Sequence, residues 1–467
     1  MLLDFTFSNF KCFSTDQQFS MRRPKVDQDN QADGQWNKSV STVAAIFGGN
    51  ASGKTSFLDA IESLKKLLLR NNRQAEYDSG FKRRSFLLGS RRSEEPTDYF
   101  IDFVGIDNRR YQYQVSINNA SVLYESLRVF TSQRSSNIFE RELNEGSDGY
   151  KFSYGSAFSG HRKAFEKMTR NDVLYLSALH DARYDLVEGA YQALTNRIKV
   201  YQGWAFANEF PRIIQLLDNE SDTAQALSDI MEQAHLGISA MTVENEMARF
   251  FRNMSTPGHP AYDHMKGLAE ALLDETSPDM NPEERQVFFE EVFEPSLEKN
   301  NEVKTLAFTH RGAEGDVTFE QDAESRGTLS GLAFFSVALK VLSEQTLCLV
   351  DELDMSLHPK YVRELVRLFR DPTTNPHQSQ LIFTSHDVTL MSNMGIDETR
   401  VLDRDQIWFT SKDSATGEAE LFPLTEFSVR KDENYMRNYL NGIYGALPDP
   451  QFHDTFVRAI RTIHSCG

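Results

Sequence analysis

Three cysteines in 467 residues are too few and too scattered to build a scaffold. Cys12, Cys348 and Cys466 offer no pair at metal-ligand spacing, and an odd count argues against a disulfide framework. A reducing cytoplasm is the expected setting. Long hydrophobic runs are also missing. No stretch approaches the ~20 apolar residues of a membrane span, so no membrane partner is expected. The opening residues, Met1 to Phe7, alternate apolar and polar, which reads as a strand and not as a signal peptide. Positive charge is in deficit. Lys and Arg number 50 against 68 Asp and Glu, for a net charge of −18. Such a chain has no global attraction to nucleic acid, so any such contact falls to local patches. A basic run at Lys82, Arg83, Arg84, Arg91 and Arg92 has the usual reading of a solvated loop. No heptad pattern is sustained, which argues against a long coiled coil, and no repeat of fixed period is apparent.

What is present is ordinary globular composition, 40% hydrophobic and 25% charged, at a length that permits two or three cores. Thr42 to Phe47 is a short apolar run of the kind that forms a buried strand. Phe57, Leu58, Ile61, Leu64 and Leu68 then recur near helical spacing, in a helix that starts at Gly53 or Lys54. Tyr99 to Val104, Tyr111 to Val115 and Val122 to Val129 are strand-like and separated by turn signals, which suggests an antiparallel meander. From residue 155 to 300 helix formers dominate, with helices expected at Asp185 to Val200, Phe210 to Leu217 and Thr223 to Ala234. The acidic segment Asp274 to Glu298, broken by Pro278, Pro282 and Pro295, is expected to form short helices. Leu347 to Val350 and Leu381 to Thr384 are buried-strand candidates flanked by helices, as in a mostly parallel sheet. The expected parts are residues 1–150 (P-loop and β meander), 151–300 (helical insertion) and 301–467.

Four motifs carry chemistry. Gly48-Gly49-Asn50-Ala51-Ser52-Gly53-Lys54-Thr55 matches the P-loop pattern between a strand and a helix. Its glycines let backbone N–H groups wrap a phosphate, and the helix that follows points its positive dipole end at the site. Lys54 would reach the β- and γ-phosphates of ATP, and the Thr55 hydroxyl would bind Mg²⁺. Asp351 and Glu352 end the second apolar run. Asp351 would hold Mg²⁺ through its water shell, and Glu352 would polarise the attacking water. A pair of acidic residues at a strand end is common, and the tail Leu353-Asp354-Met355-Ser356-Leu357-His358-Pro359 lifts the signal. His386 follows the next run and is well placed to meet a γ-phosphate oxygen, although a lone His is more often structural. Glu324-Ser325-Arg326-Gly327-Thr328 sets Ser325 and Gly327 at a helix start, a second anion site. Leu329-Ser330-Gly331 is a decoy for the same motif; Ser325 is preferred because it leaves the later residues free to form the helix.

In this order the motifs resemble the ABC-type ATPases of the SMC and OLD lineage. More closely, the chain looks like the stand-alone ATPases of prokaryotic abortive-infection and anti-phage operons, the PtuA-like, RloA-like and AriA-like proteins. The matching pieces are Leu3 to Phe13, the P-loop through Ser56, Glu324 to Thr328, Asp351 to Asp354 with Leu357-His358-Pro359, Gln380 to His386, Asp405 to Phe409 and Tyr439 to Pro448. The resemblance implies an α/β fold, an ABC-ATPase-like P-loop NTPase with a mixed or parallel sheet, an antiparallel β subdomain and a mainly helical insertion. It implies ATP and Mg²⁺ as cofactors, with Gly48, Asn50, Ala51, Ser52, Gly53, Lys54, Thr55, Ser56, Ser325, Gly327 and Asp354 around the nucleotide. It also implies a head-to-tail dimer or larger homo-oligomer, in which Ser325 meets the ATP of a partner copy. Two features depart from the pattern. The Q-loop glutamine is not evident; Gln112 and Gln114 are candidates in an ordinary strand. Ile443 stands where similar proteins often carry Arg.

Three function classes follow. One is an ATP-driven sensor or scaffold that controls a separate effector encoded nearby, a nuclease or toxin, in phage defence. A second is an OLD-like enzyme with its own nuclease centre; much of the 81 residues after His386 is used by the Asp405 to Pro448 pieces, and no separate Glu…Asp-x-Asp metal cluster of the Toprim type is evident there, which favours the first. A transport ATPase is disfavoured by the lack of a membrane segment and by the long insertion.

Overall fold

The computed structural model describes residues 1–24, 39–202, 208–245 and 304–465, apart from breaks at 79, 90–93, 131–133, 145, 147–148, 161, 314, 393–399, 429, 431–432 and 448–451, with single positions between 264 and 285. Two compact units are present, Met1–Trp204 with Lys340–Gly467, and Ala205–Leu339.

The first unit opens with β1 (Leu2–Ser8), β2 (Gln17–Ser20), β3 (Val43–Phe47), α1 (Lys54–Leu69) and α2 (Asn72–Tyr77). A meander follows: β4 (Thr97–Val104), β5 (Arg110–Ile117), β6 (Val122–Phe130), β7 (Ser135–Leu143) and β8 (Tyr150–Tyr154). These strands form an antiparallel sheet in the order β2-β1-β4-β5-β6-β7-β8. The side-chain period of two explains its core face. On β5 Tyr111, Tyr113, Val115 and Ile117 are buried while Gln112 and Gln114 lie on the other side. Phe5, Phe7, Phe10, Phe13, Phe19 and Phe57 form an aromatic cluster in which Phe7 and Phe13 meet edge to face at 5.2 Å.

After α3 (Arg162–Met168), α4 (Tyr175–Asp181) and α5 (Asp185–Thr195) the chain forms β9 (Ile198–Tyr201). The helix expected over Asp185 to Val200 therefore stops at Thr195. Ile198 to Tyr201, rich in β-branched and aromatic residues, pair in parallel with the strand at Leu347–Val350, and that pairing outweighs helix propensity. The expected boundaries at 150 and 300 do not coincide with the unit boundaries at 204/205 and 339/340. β8, α3 to α5 and β9 belong to the first unit because α4, α5 and β9 pack on α1, α3 packs on α4, and β8 and β9 complete its sheets.

The second unit holds α6 (Phe210–Asp218), α7 (Asp222–Gln233) and a three-stranded antiparallel sheet of β10 (Ile238–Asn245), β11 (Lys304–Gly312) and β12 (Gly315–Glu320). Ser221 caps α7 by accepting from the Ala224 N–H at 3.2 Å. Most of the acidic segment Asp274 to Glu298 lies outside the described residues. α8 (Arg326–Leu342) starts in this unit.

The first unit resumes with β13 (Leu347–Val350), α9 (Pro359–Arg370), β14 (Gln380–Thr384), β15 (Ile407–Lys412), β16 (Ala419–Pro423), α10 (Tyr435–Leu440) and α11 (His453–Ser465). Its second sheet runs β16-β15-β3-β14-β13-β9, parallel except for β16 at the edge. Every residue of β3, β13 and β14 is buried, as strands covered on both faces require. Each fully buried Val, Ile, Leu or Phe there stabilises by about 1.5–3 kcal/mol relative to exposure. Among the described residues no helix is long and apolar enough to cross a membrane.

Candidate functional site

Parallel strands end on one side of a sheet, so β3, β14 and β13, neighbours in that order, deliver their following residues to one edge. Gly48, Ser385 and Asp351 are those residues. The loop after β3 is held from several sides. A Cβ on Gly48 would sit 2.4 Å from the Thr410 carbonyl oxygen, so only glycine lets the loop lie against β15. Gly53, at φ +115°, precedes α1 in a conformation that L side chains rarely adopt, and a Cβ there would meet the Phe13 ring at 2.9 Å. Ala51 takes φ 60° between them. The Ser52 and Thr410 hydroxyls meet at 2.6 Å, and the Gly49 N–H donates to the Ala446 carbonyl at 3.2 Å. The segment Tyr439 to Ala446 thereby braces the loop, with Tyr439 and Tyr444 stacked on Phe409. Asn50 is exposed at the loop tip and Ser56 is half-buried on α1.

Lys54 curls back over the loop. Its Nζ donates to the Gly48 and Gly49 carbonyls, each at 2.9 Å. Burial holds its pKa below 10.5, while Asp351, Glu352 and Asp354 pull the other way. Thr55, exposed beside it, donates from Oγ1 to Asp351 Oδ2 at 2.9 Å. The other Asp351 oxygen accepts from the Thr384 hydroxyl at 2.6 Å, and the same hydroxyl accepts from the Glu352 N–H at 2.7 Å. Glu352 takes φ 54°, which turns the chain out of the strand direction and leaves its side chain exposed. Asp354 accepts from the His386 N–H at 3.2 Å on both oxygens, which ties the segment after β13 to the one after β14. The His386 side chain is exposed.

The P-loop, Asp351, Glu352, Asp354 and His386 therefore meet at one edge. Ser325 and Gly327 lie in the second unit. There the Ser325 hydroxyl caps α8 by accepting from the Thr328 N–H at 3.1 Å, and His310 fastens the preceding Glu324 at 2.5 Å. Gln112 and Gln114 are not at the sheet edge: β5 belongs to the antiparallel sheet, and the Gln112 amide donates to Asp102 at 2.9 Å. The glutamine that does reach the edge is Gln202. It follows Tyr201, whose carbonyl accepts from the Asp351 N–H at 2.9 Å. Its signal is the short β-forming run Ile198-Lys199-Val200-Tyr201, masked by the helix formers before it. Thr384 and Thr410 carry no signal in the sequence, because a threonine that follows an apolar run has no pattern of its own. Arg91, Arg92 and Cys466 lie outside the described residues; Lys82 to Arg84 lie in a stretch without regular secondary structure, where Lys82 and Arg84 are exposed and Arg83 is half-buried.

This geometry fits a nucleotide with its metal: a loop only glycine can form, one buried ammonium, and a hydroxyl–carboxylate pair beside it. A family model with the description "AAA domain, putative AbiEii toxin, Type IV TA system" matches residues 43–392, about three quarters of the chain. No curated protein matches. Among solved structures, an SMC head bound to the C-terminal winged-helix domain of ScpA is 12% identical over 90% of this chain and 96% of its own, with a TM-score of 0.35. The SMC head domain from Thermotoga maritima is 11% identical over 90% and 98%, with a TM-score of 0.33. The recombination mediator RecF with ATPrS is 12% identical over 90% and 98%, with a TM-score of 0.33. Overlap at these scores is loose, so the fold rests on the strand order and the loop geometry. With its P-loop, its acidic strand and the span of the match, the chain belongs to this AAA-domain family of P-loop ATPases.

Proposed function

We propose that the chain binds ATP with Mg²⁺ at this edge and hydrolyses it between two copies of itself. The observation that carries the reading is the run Thr55–Asp351–Thr384–Glu352 beside the buried Lys54. Lys54, pinned by two loop carbonyls, supplies charge for the β- and γ-phosphates. Thr55 would hold Mg²⁺ directly and Asp351 through water, and Gln202 adds a polar group on the same side. Mg²⁺ supplies neutralisation of phosphate charge. Glu352 would polarise a water and take its proton, and His386 would contact the γ-phosphate. Ser325 and Gly327, at the start of α8, would present a second set of donors to the nucleotide of a partner copy.

The biological reading is a sensor or scaffold that controls a separate effector in antiviral defence, in the manner of PtuA-, RloA- or AriA-like proteins. The family's description names a toxin of a toxin–antitoxin system, which supports a defence setting for the chain. The purified chain is expected to hydrolyse ATP and to cut neither DNA nor RNA, with Lys54→Ala losing ATP binding. Restriction of phage growth should need Lys54 and a neighbouring effector gene. Metal-dependent cleavage by the chain alone, removed by substitutions outside the ATP edge, would favour the OLD-like nuclease instead.

A further inference from the structure

We infer that Asp59 is a positioning residue of the nucleotide site: it fixes the Gln202 amide so that the carbonyl oxygen is the end left free for the metal–nucleotide pair. The inference rests on the ATPase reading above. Asp59 follows Thr55 by four positions on α1, so the two side chains share a face one turn apart. It is 8% exposed, and both its oxygens are engaged. Oδ1 accepts from Gln202 Nε2 at 2.9 Å, and Oδ2 pairs with Lys11 Nζ.

An ionised carboxylate only accepts hydrogen bonds. The NH₂ end of Gln202 is therefore the end that can face Asp59, and Oε1 is turned away. Among the described residues Gln202 Oε1 has no hydrogen-bond partner. The Lys11 ammonium donates to the other carboxylate oxygen, so each Asp59 oxygen is held as an acceptor. Lys11 is itself fixed, at φ 50° in the turn after β1, with its backbone N–H donating to the Arg84 carbonyl at 2.6 Å. Gln202 sits one residue past the Tyr201 carbonyl that binds the Asp351 N–H, so the freed oxygen belongs to the edge that carries Asp351. An amide carbonyl oxygen is a hard ligand suited to Mg²⁺.

The test is calorimetric titration of ATP with and without Mg²⁺, which reads binding and not turnover. In the unaltered chain Mg²⁺ should tighten ATP binding. Asp59→Asn can present either edge to Gln202, so roughly tenfold of that gain should be lost, the low end for a group that orients a metal ligand. Gln202→Ala leaves the Asp59–Lys11 pair intact and should lose the same gain. The Asp59→Asn/Gln202→Ala double variant should lose no more than Gln202→Ala alone. If Asp59→Asn melts early because Lys11 is stranded, Asp59→Asn/Lys11→Met removes the cation and should show the same Mg²⁺ loss. A wild-type Mg²⁺ gain in Asp59→Asn, additive losses in the double variant, or equal weakening with and without Mg²⁺ would overturn the inference. Unchanged ATP affinity in Lys54→Ala would instead overturn the ATPase reading beneath it.

Discussion

Thr384 offers a test of how the acidic strand is organised. Thr384→Val removes one hydroxyl and keeps the shape. That hydroxyl donates to Asp351 at 2.6 Å and accepts from the Glu352 N–H at 2.7 Å, and Thr384 is fully buried. A hydrogen bond to a charged group contributes about 1.5–3 kcal/mol, and stranding a buried N–H costs about 1–3 kcal/mol. Asp351 is only half-buried and Glu352 is exposed, so water can replace part of both bonds. The expected loss of stability is therefore at the lower end of the sum, about 2–3 kcal/mol. Urea unfolding followed by circular dichroism should show a lower midpoint with an unchanged slope. Turnover should fall as well, because Glu352 at φ 54° loses the bond that holds its backbone. Thr384→Ser, which keeps the hydroxyl, should recover most of the turnover. A Thr384→Val variant within about 0.5 kcal/mol of the parent, the usual spread for inert surface changes, would refute the reasoning.

Other outcomes follow from the same geometry. Glu352→Gln should retain ATP and slow turnover by about 10²–10⁴-fold, with His386→Ala milder; unimpaired turnover in Glu352→Gln would exclude that residue as the base. If the site is composite, specific activity should rise with protein concentration unless a stable assembly already exists. Mixing Lys54→Ala with Ser325→Arg chains should then restore at most one site per dimer, whereas full activity confined to an isolated monomer would exclude a shared site. Burial lowers the Lys54 pKa in the free protein, and bound phosphates would raise it again. ATP affinity should therefore be full below the free-state value and fall as pH rises through it, by at most about tenfold per pH unit. A flat profile of Kd from about pH 7 to the lysine range would contradict that assignment.

The local chemistry of the site is legible in three contiguous stretches of the chain. The P-loop pattern, the apolar run ending in Asp351 and Glu352, and the run ending before His386 are each contiguous, and each needs only its own neighbours to be recognised. Continuous apolar runs also foretold the parallel strands, because a strand buried on both faces has no polar positions. The tertiary structure decided everything that depends on residues far apart in the chain. Val43–Phe47 lies beside Gln380–Thr384, and that strand lies beside Leu347–Val350, an order that no single segment encodes. Only this order brings Thr55 to Asp351 across 296 positions and Thr384 to both acidic residues. β9 was hidden for the same reason: four residues at the end of a helix-forming stretch become a strand because β13 offers a partner edge. Gln202, Asp59 and Lys11 carry no pattern in sequence, since each takes its meaning from a charge or an amide supplied by another part of the fold.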